Sequence, residues 1–396
     1  MRLKPLNFPD AEPHAANAVR GPRADSTMRT VTADELAAIL RGEAMSSSGA
    51  VVYVESAMKV AVAYRCTHII AGACGNLPID LYRRVDERTR QVAQGHPLRK
   101  RLQRPNSWQT SSEFRKMLTA HAVLKGAGYA VKVTSRGQLL ALWPLKNPDR
   151  MKPRQDPVTM RLKYEWTRDD GSKIELDQSE VLHLRGLTLD GINGVGVVSY
   201  AREALGLSLQ AEIATSRTFK QGVIAGLVFT KAGLLSDEAF ARLKQQIDEN
   251  NAGAENARKV MILEEDLKVD GSLMSAEDLQ FLESRAFTRA DIGMFFGVPP
   301  HMYGDTDKST SWGSGIEAQQ IGFVTFTAND WFVMWEECLA RDCLTEAEVD
   351  AGYYVRLQRQ ALLRGDTKAR WDAYTRGLQW GVWSADDVRG FEDENP

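Results

Sequence analysis

The chain has 396 residues, which is long enough for two or three ordinary domains and a sizeable hydrophobic core. It contains 50 Lys and Arg residues against 52 Asp and Glu residues, so it is close to electrically neutral. This balance argues against a protein that holds nucleic acid by wrapping its phosphates, and it predicts that any contact with DNA is weak or local.

The sequence carries no sign of membrane insertion or secretion. No stretch approaches the run of about 18 apolar residues that a membrane helix needs, and no apolar signal core follows the basic N-terminal residues. We therefore expect a soluble protein that makes no membrane contact and is synthesised in the cytoplasm. The four cysteines lie in helical patterns without the close pairing of a zinc site, so we expect reduced thiols in the core. They are Cys66, Cys74, Cys338 and Cys343.

The first part of the sequence predicts an arm followed by a mixed α+β module. Residues 1–55 contain several Pro, scattered basic residues and a Gly- and Ser-rich break after a short helix capped at Thr32, a pattern typical of an N-terminal arm. A helical pattern then runs from Ser56 to about Gly75. The alternation of Ile79 and Leu81 after it indicates a strand.

Further elements complete this module, which spans residues 56–198. Thr110 and Glu113 form the capping box of a helix that ends at Gly126. Alternating segments predict two hairpins and one more strand, at 129–133 with 139–145, at 162–166 with 173–176 around Asp170-Gly171, and at 181–184. Because the strands are short and adjacent in sequence, we expect an α+β fold with mostly antiparallel pairing.

Two helical segments flank a small insertion. Residues 199–223 have a helical pattern, residues 224–274 contain strand-like runs and a helical stretch typical of a small α/β insertion, and residues 275–297 form a second helix. A Ser and an acid three residues later cap the second helix at its start. Gly297 and the Pro-Pro pair that follows it end this helix.

A polar loop and another long helix come next. Residues 298–315 include HMYGDTDKSTSWGSG, which is too rich in Gly, Ser, Thr and Asp to bury a face, so we expect an exposed, mobile loop. Residues 316–345 are helical, with apolar side chains such as Phe326 and Trp335 nearly all round, which predicts neighbours on most sides. Residues 346–396 add a strand at 353–355 and a helical tail.

No catalytic motif is present. The loop contains Lys308-Ser309, as a phosphate-binding loop does, but Asp307 and Met302 occupy positions where such a loop requires Gly. Neither GxSxG nor HExxH occurs, and no two His residues have the i, i+4 spacing of a helical metal site. We therefore expect no catalytic residue, no metal and no cofactor, which favours a structural or mechanical role.

Nine short motifs occur between Ser56 and Arg389. They are AGACGNLPIDLY at 71–82, HPL at 96–98, RPN at 104–106, GAGYA at 126–130, VLHLRG at 181–186, DG at 190–191, DLQFLESR at 278–285, FGVPP at 296–300 and LLRGD at 362–366. In this order they resemble portal proteins of tailed double-stranded DNA bacteriophages. The resemblance is to the long-tailed, lambda-like type, which also occurs in prophages and gene transfer agents.

This resemblance implies a portal-type fold with named parts. Residues 56–198 would be the wing, 199–223 and 275–297 the stem helices, 224–274 the clip, 298–315 the tunnel loop, 316–345 the long wing helix and 346–396 the crown. Portal proteins form a ring, usually of twelve subunits, at one capsid vertex, through which a separate ATP-driven terminase pumps DNA. The implied partners are further copies of the chain, double-stranded DNA, the large terminase subunit, a head-to-tail adaptor and the major capsid protein. The implied location is the virion vertex, reached from the host cytoplasm during assembly.

The resemblance also implies contact residues. The tunnel loop would face DNA, and its mixture of acidic and basic side chains would touch phosphates without gripping them. Its residues are Gly304, Asp305, Thr306, Asp307, Lys308, Ser309, Thr310, Ser311 and Trp312. Arg285 and Arg289 share one face of a stem helix, where acids of a neighbouring subunit would offset the two like charges.

Two other functions stay open on the sequence alone. One is a nucleic-acid-processing enzyme with an unrecognised carboxylate site, and the other is a head-completion or tail adaptor protein without the channel role. Metal-dependent nuclease activity or ATPase activity would favour the enzyme. A particle without a central channel would favour the adaptor.

Overall fold

A computed structural model describes residues 45–86, 89–221, 228–230, 268–270, 287–305, 321–359 and 367–391. The chain divides into two units, residues 1–43 and 44–396, and all of the described residues belong to the second unit. The helix predicted at Thr32, the strand-like run at 260–263 and the start of the helix predicted at 275 lie outside the described residues.

Helices and short strands alternate along the described chain. The helices are α1 (Val54–Ala57), α2 (Ala61–Asn76), α3 (Pro97–Gln103), α4 (Ser111–Lys125), α5 (Val197–Tyr200), α6 (Arg202–Gln221), α7 (287–296), α8 (Asn329–Cys343), α9 (Glu346–Asp350), α10 (Thr367–Gln379) and α11 (Ala385–Phe391). The strands are β1 (Ile79–Arg84), β2 (Arg90–Val92), β3 (Ala127–Ser135), β4 (Gln138–Pro144), β5 (Met151–Gln155), β6 (Leu162–Thr167), β7 (Lys173–Asp177), β8 (Val181–Arg185), β9 (Val228–Thr230), β10 (Lys268–Asp270) and β11 (Tyr353–Leu357).

The described strands form small antiparallel sheets. Their orders are β11-β1-β2, β4-β3-β8, β5-β6-β7 and β10-β9. The predicted α+β class is therefore confirmed, and both predicted hairpins are present. In the β3–β4 turn, Arg136 and Gly137 have φ angles of 51° and 76°, as a two-residue type I′ turn requires.

Local sequence determines where the first long helices begin. In α4, the Thr110 side chain accepts a hydrogen bond from the Glu113 N–H, and the Glu113 carboxylate accepts one from the Thr110 N–H, so the predicted capping box is present. Helix α2 begins at Ala61 rather than at Ser56. The Ser56 hydroxyl instead bonds the backbone of Tyr53, and it holds the separate short turn α1.

The main core lies where α2, α4 and α8 meet. Phe332 and Trp335 on α8 are fully buried, and the Trp335 Nε1 donates a hydrogen bond of 2.9 Å to the Thr119 hydroxyl on α4. Leu205 from α6 and Ile292 from α7 enter the same cluster. The two helices predicted to flank the insertion are thus packed into the same core as the α+β module.

Two acidic side chains of α8 accept hydrogen bonds from the edge strands of two sheets. The Asp342 carboxylate accepts a hydrogen bond of 2.9 Å from the His183 N–H on β8. The Glu336 carboxylate accepts one of 2.9 Å from the Leu357 N–H on β11. Each of these strands lies at the end of its sheet. Because an open strand edge can pair with another chain, the two acids protect the fold as well as joining helix to sheet.

The C-terminal strand belongs to the α+β module. β11 pairs antiparallel with β1, with Val355 opposite Leu81. The strand predicted at 353–355 was assigned to the C-terminal region, 346–396. Its pairing with β1 instead makes it part of a sheet in the module predicted at 56–198. A pairing between segments so far apart in the chain leaves no local pattern, so the sequence alone could not reveal it.

A close backbone contact joins the end of α4 to the loop after β8. Gly126 has a φ of 93°, and a Cβ on Gly194 would lie 1.8 Å from the Gly126 carbonyl oxygen. The Gly186 N–H donates a hydrogen bond of 2.8 Å to the same oxygen. The backbones at Gly126 and Gly194 therefore cross in direct contact, and a larger residue fits at neither position. We call this contact the glycine crossing.

Candidate functional site at the base of the polar loop

Helix α7 ends where its sequence predicts. Gly297 has a φ of 66°, and its N–H donates a hydrogen bond of 2.9 Å to the Met294 carbonyl. Pro299 then excludes a further helical turn, and a 3-10 turn follows at Pro300–Met302. The direction in which the chain leaves α7 is thus fixed.

The first residues after this turn are anchored to the body of the protein. The Met302 carbonyl accepts a hydrogen bond of 3.2 Å from the Arg65 Nε on α2, and Met302 and Tyr303 pack against the main core. The Tyr303 ring lies so close to α7 that a Cβ on Gly293 would come within 2.5 Å of it. The expected exposure is wrong for residues 301–303, which are half-buried because the apolar parts of the Met and Tyr side chains cover the core.

The chain beyond the loop returns to the same place. A π-helical turn, Val324–Ala328, precedes α8, and the Thr327 hydroxyl donates a hydrogen bond to the Gly297 carbonyl. The end of α7 and the start of α8 are therefore joined directly. π-Helical turns are frequent at functional sites, and no sequence pattern predicts this one.

Phe326 within the π-helical turn is strongly exposed. Its side chain is 85% exposed, and Met294 near the end of α7 is 70% exposed. The apolar pattern predicted neighbours on most sides of this helix. For a single chain that prediction is wrong at Phe326, although Trp335 and Phe332 further along are fully buried.

Opposite charges lie at the base of the loop. The pKa of the Tyr303 phenol is raised, first because the ring is partly buried and then because the Asp305 carboxylate lies near it, while the Arg289 guanidinium has the opposite effect. Arg289 is exposed on α7. The Asp305 N–H closes the turn with a hydrogen bond of 3.0 Å to the carbonyl five residues earlier, and Gly304 has a φ of 92°.

Of the predicted contact residues, the structure describes Gly304, Asp305 and Arg289, and the charges of Asp305 and Arg289 both act on the Tyr303 phenol. Residues 306–312 and Arg285 lie outside the described residues. The anchors Arg65 and Thr327 were missed by sequence reasoning. The sequence analysis expected exposure here, although two large side chains, Met302 and Tyr303, stand together at the start of an otherwise polar stretch.

The buried cysteine thiols of the core are unreactive. Cys66, Cys74 and Cys338 are buried and free of disulfides. Burial raises the pKa of the Cys66 and Cys74 thiols to about 12 and that of Cys338 well above its ordinary value, so they remain protonated at neutral pH.

Among the residues that the structure describes, no group of three or more His, Cys, Asp or Glu side chains could hold a metal ion. The described helices include none that is long and apolar enough to cross a membrane.

The sequence matches the phage portal protein family over residues 61–393, which is nearly its whole length. The chain belongs to the phage portal protein family. It is 36% identical over 231 residues to a probable portal protein of Streptomyces phage phiC31, an alignment that covers 57% of this chain and 50% of that protein. It is 28% identical over 320 residues to the portal protein of Enterobacteria phage HK97, covering 80% of this chain and 74% of the relative. The chain thus aligns with only half the length of the phiC31 protein.

Solved structures of a gene transfer agent neck and of a portal protein share the fold. A chain from the neck of an empty GTA particle has a TM-score of 0.59 at 20% identity, covering 92% of this chain and 94% of that one. The crystal structure of an HK97 family phage portal protein from Corynebacterium diphtheriae has a TM-score of 0.54 at 16% identity, covering 79% of this chain and 98% of that one. The expected portal-type fold is therefore confirmed.

Proposed function

We propose that this portal family member forms a ring, of about twelve subunits as is usual for the family, at one vertex of a capsid, where it is the conduit for DNA packaging and ejection. The family match over residues 61–393 carries the proposal. The likeness in fold to chains from the neck and the virion of gene transfer agent particles supports a location at the portal vertex. The role is structural and does not include catalysis. The protein reaches the vertex from the host cytoplasm during particle assembly.

The parts of the chain have separate roles in this proposal. Helices α6 and α7 are stem helices, and the insertion at 224–274 is the clip that meets the large terminase subunit during packaging and a head-to-tail adaptor afterwards. Residues 212–214 of α6 are all exposed, although Leu205 in the same helix is buried. A helix that begins in the core and then leaves the body in this way suits a stem. The wing faces the major capsid protein.

Two surfaces near the loop support the ring. Phe326 and Met294 expose large apolar side chains, and such exposure in a single chain is typical of a subunit interface. The loop that follows Asp305 contacts the passing DNA, and its anchored base keeps that contact at a fixed height in the channel. The nearby opposite charges of Asp305 and Arg289 suit a surface past which a polyanion slides.

The mass of the purified particle tests the ring. Native mass spectrometry should give a mass near twelve times that of the 44.1 kDa chain, and electron micrographs should show a central channel. A stable monomer at high concentration, with no ring in any condition, would overturn the proposal. A closed particle without a channel would favour an adaptor instead.

Shortening the tunnel loop tests its role. Deletion of Asp305 to Ser311 should leave ring formation intact and reduce packaged or retained DNA, because the loop contacts DNA while the proposed subunit contacts lie outside it. The matched control replaces the same seven residues with a Gly-Ser segment of equal length, which separates the effect of side chains from that of loop length. Packaged DNA is measured by nuclease protection. Loss of the ring in the deletion variant would show that the loop is a structural element.

A further inference from the structure

One region of this nearly neutral chain is strongly positive. Residues 97–148 contain ten Lys or Arg residues and one acid, Glu113, and they form α3, α4 and the β3–β4 hairpin. Some of these cations have partners inside the fold: Arg99 pairs with Asp80, Lys125 pairs with Asp149, and Arg115 and Lys132 bond backbone carbonyls. Within the described residues, Lys100, Arg101 and Arg104 have no ion pair. Their positive charge is therefore available to a partner.

The same region carries two exposed tryptophans, and the helix that contains Lys100 contacts the strand that contains Trp143. Trp108 follows Arg104 by four residues and is 59% exposed, and Trp143 on β4 is 50% exposed. Their ring centroids are 6.4 Å apart, with 48° between the ring planes. Trp side chains at this exposure are uncommon on a free surface and frequent at the centre of protein interfaces.

A buried asparagine holds both tryptophans in place. The Asn106 side chain is buried, and its Oδ1 accepts hydrogen bonds from the N–H groups of Trp108 at 3.1 Å and Gln109 at 2.7 Å. Its Nδ2 donates a hydrogen bond of 3.2 Å to the carbonyl of Leu142, the residue before Trp143. Asn106 thus bonds the backbone at Trp108 and the backbone next to Trp143. A pair held in this way loses little freedom on binding.

We propose that Lys100, Arg104, Trp108 and Trp143 form a docking surface, the tryptophan patch, for an acidic protein segment that carries an apolar or aromatic side chain. Carboxylates of the segment pair with the two cations, and its apolar side chain packs against the exposed surfaces of the two indoles. The tilt favours protein over nucleic acid, because rings at 48° do not offer the parallel faces on which successive bases stack. This surface is separate from the tunnel loop and adds a protein contact to the proposed DNA conduit.

Binding of defined polymers to the purified full-length assembly tests the patch. The probes are a fluorescently labelled random copolymer of Glu and Tyr, a poly-Glu of equal length and the oligonucleotide dT15, compared by fluorescence anisotropy. We expect the copolymer to bind at least tenfold more tightly than poly-Glu. The double variant Trp108→Ala/Trp143→Ala should remove this preference, and Lys100→Glu/Arg104→Glu should weaken binding of both acidic polymers at least tenfold. Trp380→Ala and Arg161→Glu are matched controls, since both residues are exposed and lie outside the patch.

Three outcomes would overturn the proposal. The first is a copolymer that binds no more tightly than poly-Glu. The second is tighter binding of dT15 that the same variants abolish, which would assign the patch to nucleic acid. The third is a change in the mass of the assembly in either double variant, which would assign the patch to contacts between subunits. If the Trp variants lower the melting temperature, the charge variants at exposed positions decide the question.

Discussion

His183 carries a buried imidazole inside the α+β module. Its side chain is fully buried on β8, and the Tyr164 hydroxyl lies 3.1 Å from its Nδ1. Its Nε2 is buried and has no hydrogen-bond partner among the residues that the structure describes. Burial lowers the pKa of His183 to about 2, and the positive charges of Arg185 and Arg341 act in the same direction. Charging this ring inside the folded protein is therefore costly.

Acid should destabilise the fold through this residue. Above about pH 6.5 the imidazole is neutral in both the folded and the unfolded chain, so it has no effect on stability there. Below that pH the unfolded chain takes up a proton that the folded chain does not, and stability falls by about 1.4 kcal/mol per pH unit. His183→Gln should flatten the fall in the free energy of unfolding between pH 6.5 and 5, measured by urea titration. His68→Gln, which changes an exposed side chain, is the control. An unchanged slope in His183→Gln would contradict the interpretation.

The glycine crossing leads to a second prediction for a single residue. A Cβ at position 194 would collide with the Gly126 backbone, which has no flexible side chain to move away. Gly194→Ala should lower the free energy of unfolding by about 2 kcal/mol or more. Gly95→Ala, where a Cβ would meet open space, is the matched control and should behave like the wild type. Equal stability of the two variants would show that the crossing relaxes easily.

At the level of whole elements, α8 is the helix that holds the sheets together. Asp342 accepts the His183 N–H, and the Arg341 guanidinium bonds both the Asp342 carboxylate and the His183 carbonyl. At the other sheet, Glu336 accepts the Leu357 N–H through one oxygen. Each acid accepts a backbone N–H at the edge of a sheet, where no neighbouring strand is present to accept it.

The two acids should protect different strands. Asp342→Asn leaves the guanidinium beside it without an anion and should cost about 2–3 kcal/mol, less than a fully buried pair because Arg341 is 38% exposed. Hydrogen exchange should then speed up at the His183 amide and not at the Leu357 amide. Glu336→Gln should give the opposite pattern and serves as the internal control. Uniform acceleration in both variants would mean that α8 acts through global stability rather than through each edge.

For the whole molecule, the proposed ring makes a prediction about the stem. Arg289 is exposed on α7 and has no ion pair within the described residues, so an acid of a neighbouring subunit is free to pair with it. The double variant Arg285→Glu/Arg289→Glu should shift the purified protein from rings towards monomers, measured by native mass spectrometry. Arg90→Glu/Arg161→Glu makes the same change in charge at exposed positions elsewhere and should assemble normally. Unchanged assembly of the stem variant would count against the pairing.

The features that the sequence predicted are those that depend on neighbours in the chain. The capping box at Thr110, the left-handed end of α7 at Gly297 and the hairpins follow from a few adjacent residues. The anchors of the loop base, Arg65 and Thr327, depend on segments that meet only after folding. Phe326 illustrates the same point. An apolar pattern predicts that a helix face is buried, but it does not distinguish burial within one chain from burial against another chain.

The pairing of β1 with β11 has a consequence for synthesis of the protein. A ribosome releases β1 long before β11, the strand that covers one edge of its sheet. A product truncated before Tyr353 would keep an open edge on β1, which is a template for pairing with other chains. During synthesis this edge is therefore exposed until β11 has been made.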